Sequence, residues 1–145
     1  MNEIKISELT ENEEFDFGFT SLSEKEIMDF AHAYDPLDFH IDKDAAEKSV
    51  FGTLVASGPH IFNWFYKNRW VPVFNKTVMA GLELNNWRLK KPVYPGKAIH
   101  CTAKILSIKK NELKNYATII WKFFLTDEFQ EPVQTLEMTV LHRLT

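Results

Sequence analysis

The sequence contains a single cysteine, Cys101, in 145 residues. One cysteine forms no disulfide within its own chain, so a small secreted scaffold held by disulfides is excluded. Basic residues are also fewer than acidic ones, with 17 Lys and Arg against 20 Asp and Glu and a net charge of −3. General binders of nucleic acid or of anionic membranes are usually basic, so we expect neither as a partner.

A secretory leader is not visible, since residues 1–5 show no basic segment followed by an apolar one. The segment 49–66 has no Asp, Glu, Lys or Arg and is about the minimum length for a membrane span. Gly58 and Pro59 interrupt it, and its polar side chains would be costly in lipid. We therefore expect a loop that leads into a buried helix, and a cytoplasmic protein.

Several motifs of common catalytic and metal sites are missing from the sequence. It has no Gly-x-Ser-x-Gly and no phosphate-binding glycine loop, which excludes serine hydrolases and nucleotide-dependent enzymes. His32, His60, His100 and His142 have no spacing typical of metal ligands. The acidic run that begins at Asp35 lacks the glycine and glutamate of a calcium loop, so we expect no metal.

The residues that are present are typical of one domain over 1–145, with helices in the first half and strands in the second. Alternating phenylalanines predict a short first strand over 14–19. A capping box at Ser23–Glu26 predicts a helix over 23–34, which Pro36 ends. A second short helix is predicted over 42–48, with Asp42 as its cap.

A helix that is apolar on nearly all sides is predicted from about Gly58 to Trp70. The strands that follow predict an antiparallel meander with short turns, over about 78–91, 99–105, 117–125 and 135–140, with a polar connection at 109–114. Cys101 falls at an inward position of one strand, which predicts a core residue and not a nucleophile. A sheet curled around one buried helix is an α+β architecture.

The connector between the first helix and the buried helix concentrates polar groups that carry chemistry. Asp35 and His40 lie five residues apart around a proline-constrained turn, close enough to converge on one small site. The Gly58 N–H stands at the start of a helix, at the positive end of the helix dipole. These groups are an acid/base pair and an oxyanion donor. Spacing alone leaves open that Asp35 only caps a helix and that His40 only packs.

This connector resembles the hydratase motif of the MaoC-like family of (R)-specific enoyl-CoA hydratases and dehydratases. Many members carry Asp-Pro-x-x-Phe-His-x-Asp and then Phe-Gly-Gly-Leu-x-Ala-Ser-Gly. The matching positions here are Asp35, Pro36, Phe39, His40, Asp42, Phe51, Gly52, Leu54, Ala56, Ser57 and Gly58. The segment 87–96 is similar to the family's Trp-x-x-Pro-Val-x-Pro-Gly, apart from its spacing. Tyr34 departs from the glycine of the fuller signature, the signature's Asn is missing, and Pro59 follows Gly58 where larger side chains are common.

The resemblance implies the hot-dog fold, in which a curled antiparallel sheet wraps around a long buried central helix. An additional helical overhang then carries the hydratase motif. The resemblance also implies that Asp35 and His40 are the catalytic dyad and that Gly58 is the main-chain oxyanion donor. We expect substrate contacts from Ser57, Phe39, His60 and Phe51, although a residue in the position of His60 is more often a hydrogen-bonded wall residue.

The implied activity is the reversible hydration of a trans-2-enoyl-CoA to a 3-hydroxyacyl-CoA by a hydro-lyase. The CoA thioester is the substrate, no cofactor is needed, and the chain forms a homodimer or a dimer of dimers. Two alternatives stay open: an acyl-CoA thioesterase with the same fold, and a non-catalytic acyl-CoA or lipid-binding protein, which Tyr34 and the missing Asn leave open. The sequence also contains a basic subset, which consists of Arg88, Lys90, Lys91, Lys104, Lys109 and Lys110. These side chains either bind the phosphates of CoA or are simply exposed to solvent.

Overall fold

The computed structural model describes residues 4–145. Its sheet has five antiparallel strands, which are β1 (Glu14–Thr20), β2 (Val78–Leu89), β3 (Ile99–Asn111), β4 (Tyr116–Thr126) and β5 (Pro132–Arg143). Their spatial order is β1-β3-β4-β5-β2. A 3₁₀ turn at Ile6–Glu8 precedes β1.

The strand order differs from the predicted meander. β3, β4 and β5 are neighbours as predicted, but β2 pairs with β5 at the edge of the sheet and makes no ladder with β3. The segment 90–98 therefore carries the chain across the end of the sheet instead of closing a hairpin. The meander prediction is wrong because alternation determines which face of a strand is buried, and not which strand lies beside it.

The predicted polar connection at 109–114 is also partly wrong. Lys109, Lys110 and Asn111 continue β3 and pair with the start of β4, so the turn is confined to 112–115. Polar residues remain compatible with a strand where the ladder continues and the side chains reach solvent.

The central helix begins at Gly58 as predicted but does not end at Trp70. α4 (Gly58–Phe65) leads into a π-helical turn at Tyr66–Trp70 and then into α5 (Val71–Phe74) and a 3₁₀ turn at Asn75–Thr77. The π turn inserts one residue into the 3.6-residue repeat. The prediction ended early because the apolar periodicity is broken at that turn while the helix continues.

The core lies between this helix and the concave face of the sheet. Aromatic rings from the two elements contact each other, with Phe62 edge-on to Phe123 at 5.0 Å and Trp70 edge-on to Trp121 at 5.7 Å. Cys101 is fully buried in the same core, as predicted, and burial raises the pKa of its thiol. A sheet that wraps a buried helix confirms the predicted hot-dog fold.

Three short helices form the overhang at the N-terminal end of α4. They are α1 (Glu24–Tyr34), α2 (Asp38–Ile41) and α3 (Lys43–Glu47). The capping box at Ser23 is present, and the Asp42 carboxylate accepts from two backbone N–H groups at the start of α3, so both cap predictions are confirmed. α2 was not predicted and fills the proline-constrained turn. Among residues 4–145, no helix is long and apolar enough to cross a membrane.

Candidate active site

A cavity of about 510 Å³ lies where the overhang meets the start of α4 and the end of β2. Polar groups enter it at a few points only, from Asp35, His40, Lys90, Lys91 and Gln134. The other walls are largely apolar and come from Leu37, Phe39, Phe51, Val55, Pro59, Leu89 and Val93, among others. An apolar cavity with a few convergent polar groups is the usual setting of a small-molecule site.

Asp35 is placed by the end of α1. Its N–H still bonds the Ala31 carbonyl at 2.8 Å, but its own backbone has already left the helical conformation before Pro36. The Ser57 hydroxyl donates to Asp35 Oδ2 at 2.7 Å. Ser57 is fully buried, so it orients the Asp35 carboxylate and does not line the cavity wall.

His40 lies on α2 and is buried, with its ring tied to the loop that follows the overhang. His40 Nδ1 is 2.6 Å from the Val55 carbonyl oxygen. Because a carbonyl can only accept, Nδ1 carries a proton, and in the neutral imidazole Nε2 is left as an acceptor. His40 Nε2 faces Asp35 Oδ2 at 3.4 Å. The predicted pair is therefore brought together at the cavity wall.

The Asp35–His40 separation is longer than an ordinary hydrogen bond. With a carboxylate on one side and a neutral Nε2 on the other, both groups accept and neither donates. A species with two hydrogens, such as water, satisfies both acceptors at once. The arrangement can thus hold and polarise a water molecule beside an apolar cavity.

Gly58 follows an extended loop, residues 54–57, that the Ala56 N–H ties to the Val93 carbonyl at 2.9 Å. As the first residue of α4, Gly58 has an N–H without an intrahelical partner. A Cβ at this position would lie 2.6 Å from Leu89 Cδ1. Glycine therefore leaves room for the Leu89 side chain to lie against the loop.

Of the remaining predicted substrate contacts, two residues line the cavity and one does not. Phe39 and Phe51 line the cavity, with ring centroids 5.2 Å apart. His60 lies outside the cavity and stacks on Phe30 of α1 with a centroid distance of 4.1 Å. Burial lowers the pKa of His60 to about 4. Its Nδ1 has no hydrogen-bond partner within residues 4–145, so His60 belongs to the contact between α4 and α1.

Gln134 on β5 is a cavity residue that the motif analysis missed. Its side-chain Nε2 donates to the Gly58 carbonyl at 2.7 Å, and its Oε1 accepts from Trp87 Nε1 at 3.1 Å. A signal was present in the sequence: Gln134 is in phase with the inward-facing Leu136 and Met138. An amide at an inward position of a strand requires partners inside the protein.

Of the basic subset, only Lys90 and Lys91 line the cavity. Lys91 forms ion pairs with Asp127 and Glu131 from the turn between β4 and β5. In the part of the chain that the structure describes, no three His, Cys, Asp or Glu side chains come together as metal ligands would.

The sheet, the buried helix and the overhang define the class as a hot-dog protein whose overhang supplies polar groups to an apolar cavity. The chain matches the model of the MaoC-like domain over residues 7–119. It belongs to the MaoC-like dehydratase family.

The chain is also similar to individual proteins. The chain is similar to the uncharacterized protein YdeM of Bacillus subtilis (strain 168), with 31% identity over 114 residues, which cover 76% of this chain and 80% of that protein. Its fold is similar to the MaoC-like dehydratase from Rhodospirillum rubrum, with a TM-score of 0.85, 23% identity and 98% of each chain covered. It is also similar to the R-hydratase PhaJ1 from Pseudomonas aeruginosa, with a TM-score of 0.80, 18% identity, and 99% and 88% of the two chains covered.

Proposed function

We propose that this protein catalyses the reversible hydration of a trans-2-enoyl-CoA to a 3-hydroxyacyl-CoA. The observation that carries the proposal is that His40 Nε2 and Asp35 Oδ2 lie 3.4 Å apart, side by side at the wall of an apolar cavity. Membership of the MaoC-like dehydratase family and the likeness to a structure described as an R-hydratase support this class of reaction.

In the proposed reaction, a water on the cavity side of the pair donates one hydrogen to each member of the dyad. The water oxygen forms a bond to the β-carbon of the enoyl group and passes one proton to the dyad. A proton from the dyad is delivered to the α-carbon, so that the dyad returns to its starting state. Both additions come from one wall of the cavity, which gives syn addition, and dehydration is the reverse.

Negative charge develops on the thioester oxygen as the β-carbon is attacked. In this proposal the Gly58 N–H binds that oxygen, aided by the positive end of the α4 dipole. Removing such a donor typically costs about 3–4 kcal/mol of transition-state stabilisation. No cofactor enters the scheme, because the CoA belongs to the substrate.

The proposal includes a homodimer in the cytoplasm. β2 is an edge strand, and it exposes Leu82 and Leu84 to the extent of 54% and 55%. Leu89, at the end of the same strand, lines the cavity. A second chain on this edge would cover the exposed leucines and lie next to the site.

Asp35→Asn and His40→Ala test the dyad. We expect each variant to lower crotonyl-CoA hydration by about 10²–10⁴-fold, since each removes one of the two groups that handle protons. The measurement is the loss of enoyl absorbance, with circular dichroism to verify the fold. Asp38→Asn, an exposed carboxylate on the neighbouring α2, is the matched control and keeps wild-type turnover. Near-wild-type activity in either dyad variant would contradict the assignment.

A chain-length panel of enoyl-CoA and acyl-CoA substrates separates hydration from its two alternatives. Loss of enoyl absorbance without release of free thiol supports a hydratase. Release of free thiol supports a thioesterase instead. Tight acyl-CoA binding with neither signal, at every chain length, supports the non-catalytic protein.

A further inference from the structure

We infer that Gln134 is a positioning residue, which aligns the Gly58 N–H with the Asp35–His40 dyad. This inference rests on the proposed function, because it concerns the donor that binds the thioester oxygen. Gln134 is 2% exposed and reaches from β5 to the first residue of α4, where its Nε2 donates to the Gly58 carbonyl at 2.7 Å.

The orientation of the Gln134 amide is determined by its second partner. Trp87 Nε1 lies 3.1 Å from Gln134 Oε1, and an indole N–H can only donate. The oxygen of the amide must therefore face Trp87, which leaves the NH₂ group for the Gly58 carbonyl. Trp87 is itself held edge-on to Phe62 of α4, with a centroid distance of 5.4 Å.

The peptide that carries the Gly58 N–H is held from two directions. On the overhang side, Ser57 donates to Asp35 Oδ2 at 2.7 Å, which ties the peptide to the dyad. On the sheet side, Gln134 holds the Gly58 carbonyl. Only the rotations of Ser57 and Gly58 separate these two attachments. Their combined effect is to fix where the N–H lies relative to the dyad.

Burying a glutamine at this position costs desolvation free energy, which an apolar side chain would avoid. Gln134 occupies an inward position next to Leu136 and Met138, where burying an amide is unfavourable unless it is fully bonded. Its amide is bonded to the Gly58 carbonyl and to Trp87 Nε1, so both of its polar atoms have partners. The placement indicates that the side chain serves the geometry of this loop.

Gln134→Met and Gln134→Glu test the inference together. We expect Gln134→Met to lower kcat about tenfold, a part of the 10²–10³-fold loss typical when an oxyanion donor is removed, with KM changed less than about twofold. Gln134→Glu places a carboxylate oxygen against the Gly58 carbonyl at neutral pH, and a protonated carboxyl that donates again at lower pH. Relative to wild type, its kcat therefore recovers as the pH falls, whereas that of Gln134→Met does not.

Trp87→Phe frees the amide to rotate and gives an intermediate loss of kcat. Trp64→Phe is its matched control, because Trp64 lies under Arg69 and outside this network. A second readout is the absorbance of a bound aryl-enoyl-CoA, which shifts to the red when an N–H polarises the thioester carbonyl. We expect a smaller red shift in Gln134→Met than in wild type.

The two proposals fail in different ways. Wild-type protein without turnover on the whole panel overturns the proposed hydratase, while the red shift still reports on the alignment of Gly58. Active wild type with an unchanged kcat and red shift in Gln134→Met overturns the role of Gln134. A loss of kcat in Gln134→Glu that is not relieved at lower pH also overturns it, since it points to packing alone.

Discussion

His142 is a fully buried imidazole with both nitrogens in use. Trp121 Nε1 donates to His142 Nε2 at 3.1 Å, so the ring proton resides on Nδ1 and is donated to the Thr77 hydroxyl at 2.8 Å. Thr77 in turn donates to the Phe74 carbonyl at the end of the central helix. A second ring proton would face the Trp121 N–H, so the folded protein accepts only the neutral form.

Acid should therefore destabilise the fold at the residue scale. Burial lowers the pKa of both His142 and His60 from 6.5 to about 4. The unfolded chain takes up these protons near pH 6.5 and the folded chain only near pH 4. The unfolding free energy is then flat above pH 6.5 with respect to these groups and falls between pH 6.5 and 4, by on the order of 3 kcal/mol for each imidazole.

Urea denaturation across this pH range measures the effect. We expect His142→Gln to be less stable than wild type at pH 7.5 and to lose less further stability on acidification. His32→Gln, on the exposed side of α1, is the control and keeps the wild-type pH dependence. A wild-type stability that does not change between pH 7 and 4.5 would refute the argument.

At the scale of one element, α1 connects a local sequence signal with the site. Its N-terminus is closed by Ser23 and Glu26, which bond each other's backbone N–H groups at 3.1 and 3.2 Å. Its last residue is Tyr34, and Asp35 is its C-cap. The helix therefore spans from a cap that can be recognised in the sequence to the carboxylate that faces His40.

Removing this cap should loosen the overhang. We expect Ser23→Ala to lower the unfolding free energy by about 1 kcal/mol, because one N–H in the first turn loses its acceptor. Ser21→Ala, two residues earlier and also exposed, should leave the stability unchanged. Both variants are compared by urea denaturation, and an equal effect in the two would contradict the role of the cap.

Local signals made the helices of the overhang predictable, whereas contacts between distant segments were not. α1 and α3 begin where Ser23 and Asp42 predict, because a cap acts within three residues. The π turn at Tyr66–Trp70 and the placement of β2 beside β5 depend on packing across the molecule. No periodicity in the sequence records either of them.

The residues of the candidate site also differ in whether the sequence predicts them. Asp35, His40 and Gly58 line one cavity, as expected for three residues of one short connector. Gln134 belongs to a strand more than 70 residues later in the chain, so only its inward phase on β5 distinguishes it. His60 was predicted at the cavity because it lies in the first turn of the helix. Its position in the sequence does not determine the direction of its ring, which stacks on Phe30 instead.

At the scale of the whole molecule, the isolated chain exposes an unusual amount of surface. Its accessible area is 8587 Å², against roughly 7,700 Å² expected for a monomer of this mass. The excess is about a tenth of the expected area. Exposed apolar side chains along β2 account for part of it, including Met79, Leu82, Leu84 and Leu89.

We expect light scattering at micromolar concentration to give twice the chain mass of 17.0 kDa. The double variant Leu82→Lys, Leu84→Lys should be monomeric, because two charges on an edge strand oppose pairing. Leu113→Lys, in the turn between β3 and β4 and fully exposed, is the matched control and stays dimeric. A wild-type monomer would contradict the homodimer, and an unaltered mass in the double variant would contradict the edge chosen here.

The crossing connection between β2 and β3 also sets an order of assembly. β3, β4 and β5 close by short turns, whereas β1 pairs with β3 across residues such as Glu14 and Lys104, and β2 pairs with β5 across residues such as Val78 and His142. Contacts between such distant segments form late, since a long loop must be closed first. Trp87 and Leu89 arrive with that late strand. The inner sheet, with Gln134 on β5, is therefore expected to be in place before the strand that brings Trp87 and Leu89 to the cavity, so the capacity for chemistry is the last property the folding chain acquires.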